Sequence, residues 1–189
     1  MKEIRFHGRG GQGVVTAAEI LAAAFVREGK FAAAFPMFGF ERRGAPLTAF
    51  LRFAAEPIRE RTQIYTPDCC VVIDPALARM PDTYQGLRPG GVVVINGPGS
   101  ALPAGVAAGI VAALPASAIA LEELRRQAAN TAMLGGLARA TGWITLASIL
   151  GVLADYFTGA ALEGNRRAVQ RGYDEAVVRE VREAVYAVS

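Results

Sequence analysis

Two cysteines and one histidine are all the thiolate and imidazole ligands in this 189-residue sequence. The cysteines, Cys69 and Cys70, are adjacent rather than spaced as CxxC, so the chain alone cannot ligate an iron–sulfur cluster or a structural zinc. Neighbours in an apolar strand project to opposite faces, which also makes them a poor disulfide pair. Long apolar runs are missing too: Val14 to Val26 is too short to span a bilayer and carries Glu19. No secretory signal is read at the start, so the expected compartment is the cytoplasm. There is no G-x-S-x-G, no HExxH and no P-loop lysine, so no catalytic residue is assigned.

Charge is scarce. Only 20% of residues are charged, 20 basic against 17 acidic for a formal net charge of +3, which leaves no basic tract for nucleic acid. The 52% hydrophobic content excludes general disorder and suits one ordinary domain over residues 1–189, with apolar surface left over for partner subunits.

What is present reads as α/β. Ile4 to His7 is a short strand, and a helical run from Val14 to Glu28 follows after six residues, four of them glycine. Further strands are expected over Phe31 to Phe35, Leu47 to Phe53, Cys69 to Asp74, Val92 to Asn96 and Gly109 to Ala113. Helical periodicity takes over at Leu121 to Thr141, Leu146 to Phe157 and Leu162 to Tyr186, with Gly142 and Gly159 as stops. The alternation predicts a mostly parallel, Rossmann-like sheet flanked on both sides by helices, with C-terminal helices closing it.

Gly8-Arg9-Gly10-Gly11-Gln12-Gly13 satisfies G-x-G-x-x-G between a strand and a helix. Glycines permit close backbone approach, and the helix start offers N–H groups and a positive dipole end to phosphate or carboxylate. The alternative is a tight turn with no ligand. A dinucleotide site also wants an acid at the end of the second strand, and that strand ends Ala34-Phe35-Pro36. Glu28 has about the right spacing but falls in the preceding helix. The charged loop Glu41-Arg42-Arg43-Gly44 is expected at the same sheet edge, where Arg42 and Arg43 either clamp an anion or form an exposed turn; Phe38 and Phe40 beside it suggest a contact surface. His7 is either an acid–base group or, more simply, a packed and hydrogen-bonded one.

His7-Gly8-Arg9-Gly10-Gly11-Gln12-Gly13, the following Thr16-Ala17-Ala18-Glu19-Ile20-Leu21, and the block Phe35 to Pro46 together resemble the gamma subunit of 2-oxoacid:ferredoxin oxidoreductases of the pyruvate type. Asn130 to Gly135 and the helix carrying Asn165, Ala168, Gly172 and Tyr173 extend the resemblance along the chain. It implies a complex that converts a 2-oxoacid and coenzyme A to acyl-CoA and carbon dioxide, passing two electrons to ferredoxin or another acceptor. Thiamine diphosphate, magnesium and [4Fe-4S] clusters are then expected on alpha, beta and delta-type partner subunits. The resemblance gives this chain a share of the coenzyme A site, for which Gly8, Arg9, Gly10, Gly11, Gln12, Gly13, Arg42 and Arg43 are the candidates. The second loop Glu41-Arg42-Arg43-Gly44-Ala45-Pro46 differs from that of the indolepyruvate and 2-oxoglutarate types, which points to pyruvate or an aryl 2-oxoacid such as phenylglyoxylate. A purely structural assembly subunit and, last, a free-standing NAD(P)-dependent dehydrogenase are the rival readings.

Overall fold

Strand β1 (Lys2–Arg9) begins the chain because Ile4 and Phe6 alternate with Glu3, Arg5 and His7, sending apolar side chains to one face and polar ones to the other. Glycines break the strand, and α1 (Val14–Arg27) buries Ala17, Ile20, Leu21, Ala24 and Phe25 along one stripe. The computed structural model describes residues 1–37, 44–99 and 102–181. After α1 come β2 (Phe31–Pro36), β3 (Pro46–Ala54), β4 (Cys69–Val72), β5 (Gly91–Asn96) and β6 (Ala108–Leu114). Helices α2 (Ala116–Leu124), α3 (Asn130–Thr141), α4 (Leu146–Val152) and α5 (Gly159–Asp174) follow, and β7 (Val177–Glu180) ends the described chain.

The seven-stranded sheet has the order β2-β3-β1-β4-β5-β6-β7. β1, β4, β5 and β6 pair in parallel, while β3 lies antiparallel between β2 and β1, so β2 shares their direction and the sheet is mostly parallel; β7 is reversed against β6. Leaving β1, the chain crosses to β2 at one edge; leaving β4, it builds towards the other. The carboxyl ends of β1 and β4 therefore flank the point where strand order reverses, where open α/β sheets form a ligand crevice.

All five helices contribute to a single core against one face of the sheet. The opposite face has a smaller core of Cys70, Val72, Val93, Ile95 and Val111, closed by Leu77 and Tyr84 from two 3₁₀ turns, so the expected helical layer on that side is replaced by short turns. Near β1 and β3 the cover is polar. Arg52, only 2% exposed, donates to the Glu3 carboxylate at 2.8 Å and to the Thr62 carbonyl at 2.6 Å. Arg5 likewise donates to the carbonyls of Thr83 and Gln85 at 3.0 and 2.7 Å. A buried guanidinium is tolerated only when paired and bonded, and these arginines use their forks to tie two loops to the sheet.

Three helix expectations need correction. Leu121 to Thr141 is two helices, because Arg125 takes a left-handed conformation (φ 56°) and ends α2. Gly142 is indeed the C-cap of α3, but Gly159 starts α5 rather than stopping a helix. The last helix ends at Asp174, and Val177–Glu180, an exposed β-branched pair followed by a charged pair, adds an edge strand; residues 182–186 of that expectation lie outside the described residues.

Candidate functional site

The glycine loop leaves β1 at the switch point. Gly13 is the N-cap of α1 in left-handed conformation (φ 72°), with no side-chain cap and no acid in the first helical turn, so the positive helix end is left open. A Cβ on Gly13 would lie 2.5 Å from the Asn130 amide nitrogen, so the backbone here must be glycine for Asn130 to reach it. Asn130, the first residue of α3, donates from Nδ2 to the Gly13 carbonyl at 3.2 Å. Gly11 also has positive φ (92°) and open space around its missing side chain.

Arg9 and Gln12 do something the sequence did not suggest. Gln12 Oε1 accepts the Arg9 backbone N–H at 2.8 Å, and its Nε2 donates to Asp74 Oδ2 at 2.8 Å. The Arg9 guanidinium sits 3.2 Å from the same Asp74 oxygen and donates to the Gly44 carbonyl at 3.1 Å. Both side chains thus knit the loop internally, and the charge of Arg9 is offset by Asp74. In the sequence Asp74 is only the last residue of an expected strand; an acid at the carboxyl end of a parallel strand beside the crevice was the signal for more.

The flanks of the second loop meet the glycine loop: Gly10 N–H donates to the Ala45 carbonyl at 3.0 Å and Gly44 N–H to the Gly10 carbonyl at 3.2 Å. Arg42 and Arg43, with Phe38, Phe40 and Glu41, lie outside the described residues. Among the described residues, two clefts border Gln12. One, of about 300 Å³, is lined by Gly11, Gln12, Gly13, Thr16 and Arg126. Arg126 follows the left-handed Arg125, is exposed, and has no ion-pair partner among the described residues; it is a cation at this cleft that sequence reasoning missed. Nothing local marks it; the α2–α3 break brings it there. The other cleft, of about 390 Å³, is lined by Asp74, Asn96, Ser117 and Leu121.

His7 is the packed histidine of the simpler reading. It accepts a hydrogen bond from Arg5 Nε at 2.8 Å, and burial, then the Arg5 charge, lowers its pKa to about 3, so it stays neutral. Glu28 is no ribose ligand. Its carboxylate accepts from the Thr145 N–H and hydroxyl and from the Ser148 hydroxyl, all at 2.9 Å, and so anchors Thr145, the residue that caps α4 by accepting the Ser148 N–H. Among the described residues no group of three or more His, Cys, Asp or Glu is placed to hold a metal, and no helix is long and apolar enough to cross a membrane.

A glycine loop and an open helix end at a strand-reversal crevice define an α/β domain with a mostly parallel, Rossmann-like sheet. The family model for pyruvate ferredoxin/flavodoxin oxidoreductase matches residues 3–175. The gamma subunit common to the pyruvate and ketoisovalerate oxidoreductases of Thermococcus kodakarensis is 48% identical, over 96% of this chain and 100% of the relative. The gamma subunit of the NADH-dependent phenylglyoxylate dehydrogenase of Aromatoleum evansii is 46% identical, over 96% and 97%. Of solved structures, the pyruvate oxidoreductase subunit PORC of Thermotoga maritima superposes with TM-score 0.83 at 35% identity, covering 95% of this chain and 98% of that one. The 2-oxoglutarate:ferredoxin oxidoreductase of Magnetococcus marinus, solved with 2-oxoglutarate, coenzyme A and succinyl-CoA, gives 0.72 at 25% identity over 92% of this chain but 30% of that longer one. The chain belongs to the pyruvate ferredoxin/flavodoxin oxidoreductase family, as a gamma subunit of a 2-oxoacid oxidoreductase complex.

Proposed function

We propose that this subunit, acting as one gamma domain over residues 1–189, holds coenzyme A on the loop Gly8–Gly13 of a cytoplasmic 2-oxoacid:acceptor oxidoreductase. The observation that carries this is the uncapped start of α1 behind Gly11 and Gly13, at the switch point of the sheet. Backbone N–H groups there suit the phosphates, and Arg126 stands on the same cleft to meet their charge. Arg42 and Arg43 remain candidates for further contacts from the second loop.

Bound coenzyme A supplies the thiol that receives the acyl group. This chain's part is to bind and orient it. The electron chemistry belongs to thiamine diphosphate, magnesium and [4Fe-4S] clusters on alpha, beta and delta-type partners, with ferredoxin or another acceptor beyond; Cys69 and Cys70 are adjacent and buried and do not suit a cluster. The relatives' names give pyruvate, ketoisovalerate and phenylglyoxylate, and of these pyruvate and the aryl 2-oxoacid phenylglyoxylate are the substrates we propose.

The test is the tagged native complex, assayed for coenzyme A-dependent oxidation of pyruvate and of phenylglyoxylate with a dye acceptor. Gly13→Ala is expected to raise the KM for coenzyme A about tenfold, through positive φ and the encounter with Asn130. An unchanged KM would remove coenzyme A from this loop. The inward commitment of Arg9 and Gln12 favours one second reading, a loop whose task is assembly; in that case Gly13→Ala lowers the yield of complex and leaves the KM alone.

A further inference from the structure

Asp74 gathers more of this site than any other side chain. It follows β4, is 6% exposed, and both of its oxygens are in use. Oδ1 accepts the N–H groups of Ala76 and Leu77 at 2.9 and 3.3 Å, which fixes the carboxylate on the strand end. Oδ2 faces the other way, across the crevice, and takes Gln12 Nε2 at 2.8 Å and Arg9 Nε at 3.2 Å. Gln12 passes this on, because its oxygen accepts the Arg9 N–H and so closes the Arg9–Gln12 turn, already held by Gln12 N–H to the Arg9 carbonyl at 3.0 Å. Arg9 extends it to Gly44, at the end of the second loop.

We infer that Asp74 is the positioning residue of the glycine loop: through Gln12 and Arg9 it sets the backbone geometry in which the loop receives coenzyme A. The inference rests on the proposed coenzyme A reading. Glycines at 10, 11 and 13 leave the loop many conformations of similar energy, and a loop that must order itself on binding loses affinity. A single buried carboxylate with two ionic or amide donors from the loop removes that freedom beforehand. Because Arg9 is spent on Asp74, its role toward the ligand is indirect.

Asp74→Asn separates this role from mere support. The substituted side chain is isosteric and its oxygen still accepts from Ala76 and Leu77, but its amide turns a donor toward Gln12 Nε2 and Arg9. In the purified complex, the KM for coenzyme A is expected to rise about tenfold, the loss of one charge-assisted hydrogen bond, with kcat at saturating coenzyme A within about twofold of wild type. Arg9→Gln added to Asp74→Asn should raise the KM little further, since the hold of Arg9 on the crevice runs through the carboxylate already removed and its remaining bond, to the Gly44 carbonyl, is solvent-exposed. Gly13→Ala serves as the control for the reading itself. If Gly13→Ala raises the KM and Asp74→Asn does not, coenzyme A binds the loop and the role of Asp74 is refuted. Additive effects of Arg9→Gln and Asp74→Asn also refute it, by placing Arg9 on the ligand. If neither Gly13→Ala nor Asp74→Asn moves the KM, the coenzyme A reading falls and takes this inference with it.

Discussion

Glu28 at the end of α1 and Thr145 at the start of α4 are joined twice, the Thr145 N–H and hydroxyl each reaching one Glu28 oxygen at 2.9 Å. Burial alone would raise the Glu28 pKa, but the Thr145 N–H, the Lys30 ammonium and the Ser148 and Thr145 hydroxyls outweigh it and bring it down to about 2. A carboxylate whose folded pKa lies below its unfolded 4.5 stabilises the fold above that pH and loses its contribution as pH falls towards 2. Glu28→Gln is therefore expected to cost about 1–2 kcal/mol near neutrality, and urea unfolding should show the difference from wild type shrinking between pH 5 and about 2.

His7 acts in the same direction, over a higher range of pH. Burial and Arg5 hold its pKa near 3 against 6.5 in the unfolded chain, so below pH 6.5 the unfolded state takes up a proton that the folded state refuses. This group then lowers stability as pH falls from 6.5 towards 3, by at most about 1.4 kcal/mol per pH unit. The sequence contains one histidine, so its ring proton resonances are unambiguous: they should not titrate between pH 5 and 8. His7→Gln keeps an acceptor for Arg5 and should flatten the slope between pH 6.5 and about 5, above the range in which Glu28 titrates.

The α3–α5 crossing depends on two glycines. A Cβ at Gly135 would meet the Val169 carbonyl, and one at Gly172 the Ala132 carbonyl, both backbone atoms that cannot step aside. Between the same helices the buried Asn165 accepts from Thr131 at 2.8 Å. Gly172→Ala is expected to lower stability by about 1–3 kcal/mol through overpacking. Because α3 also carries Asn130, the same variant should weaken the complex's affinity for coenzyme A, read as a higher KM at unchanged kcat.

Arg126 is expected to be the cation that the anionic ligand meets. Arg126→Gln should raise the KM for coenzyme A roughly tenfold at low salt, with intact assembly. The difference should shrink as ionic strength rises, since the side chain is exposed.

The opening strand, glycine loop and α1 were legible because their signals are local: alternation, four glycines and a helical stripe. Gly44, the last residue of the charged loop, was expected at the same sheet edge as the glycine loop, and its N–H does reach the Gly10 carbonyl. What escaped were relationships between distant segments. Asp74 is 62 residues from Gln12, and no spacing rule connects them. Arg125 is not a residue type that announces a left-handed helix end, so the α2–α3 break, and with it the place of Arg126, was invisible. β7 was read as helix because Val177 and Val178 directly extend a helical pattern, and only pairing with β6 makes them strand.

The neighbours Cys69 and Cys70 belong to different cores, one on each side of the sheet. Burial drives the Cys69 thiol far above its ordinary range and Cys70 to about 11, so neither is a ready nucleophile while the fold is closed. Alkylation of each sulfur by a small reagent then becomes a clock for the opening of its own side. Comparing the two labelling rates in one peptide would show whether the helical half and the turn-covered half of this subunit breathe together or separately.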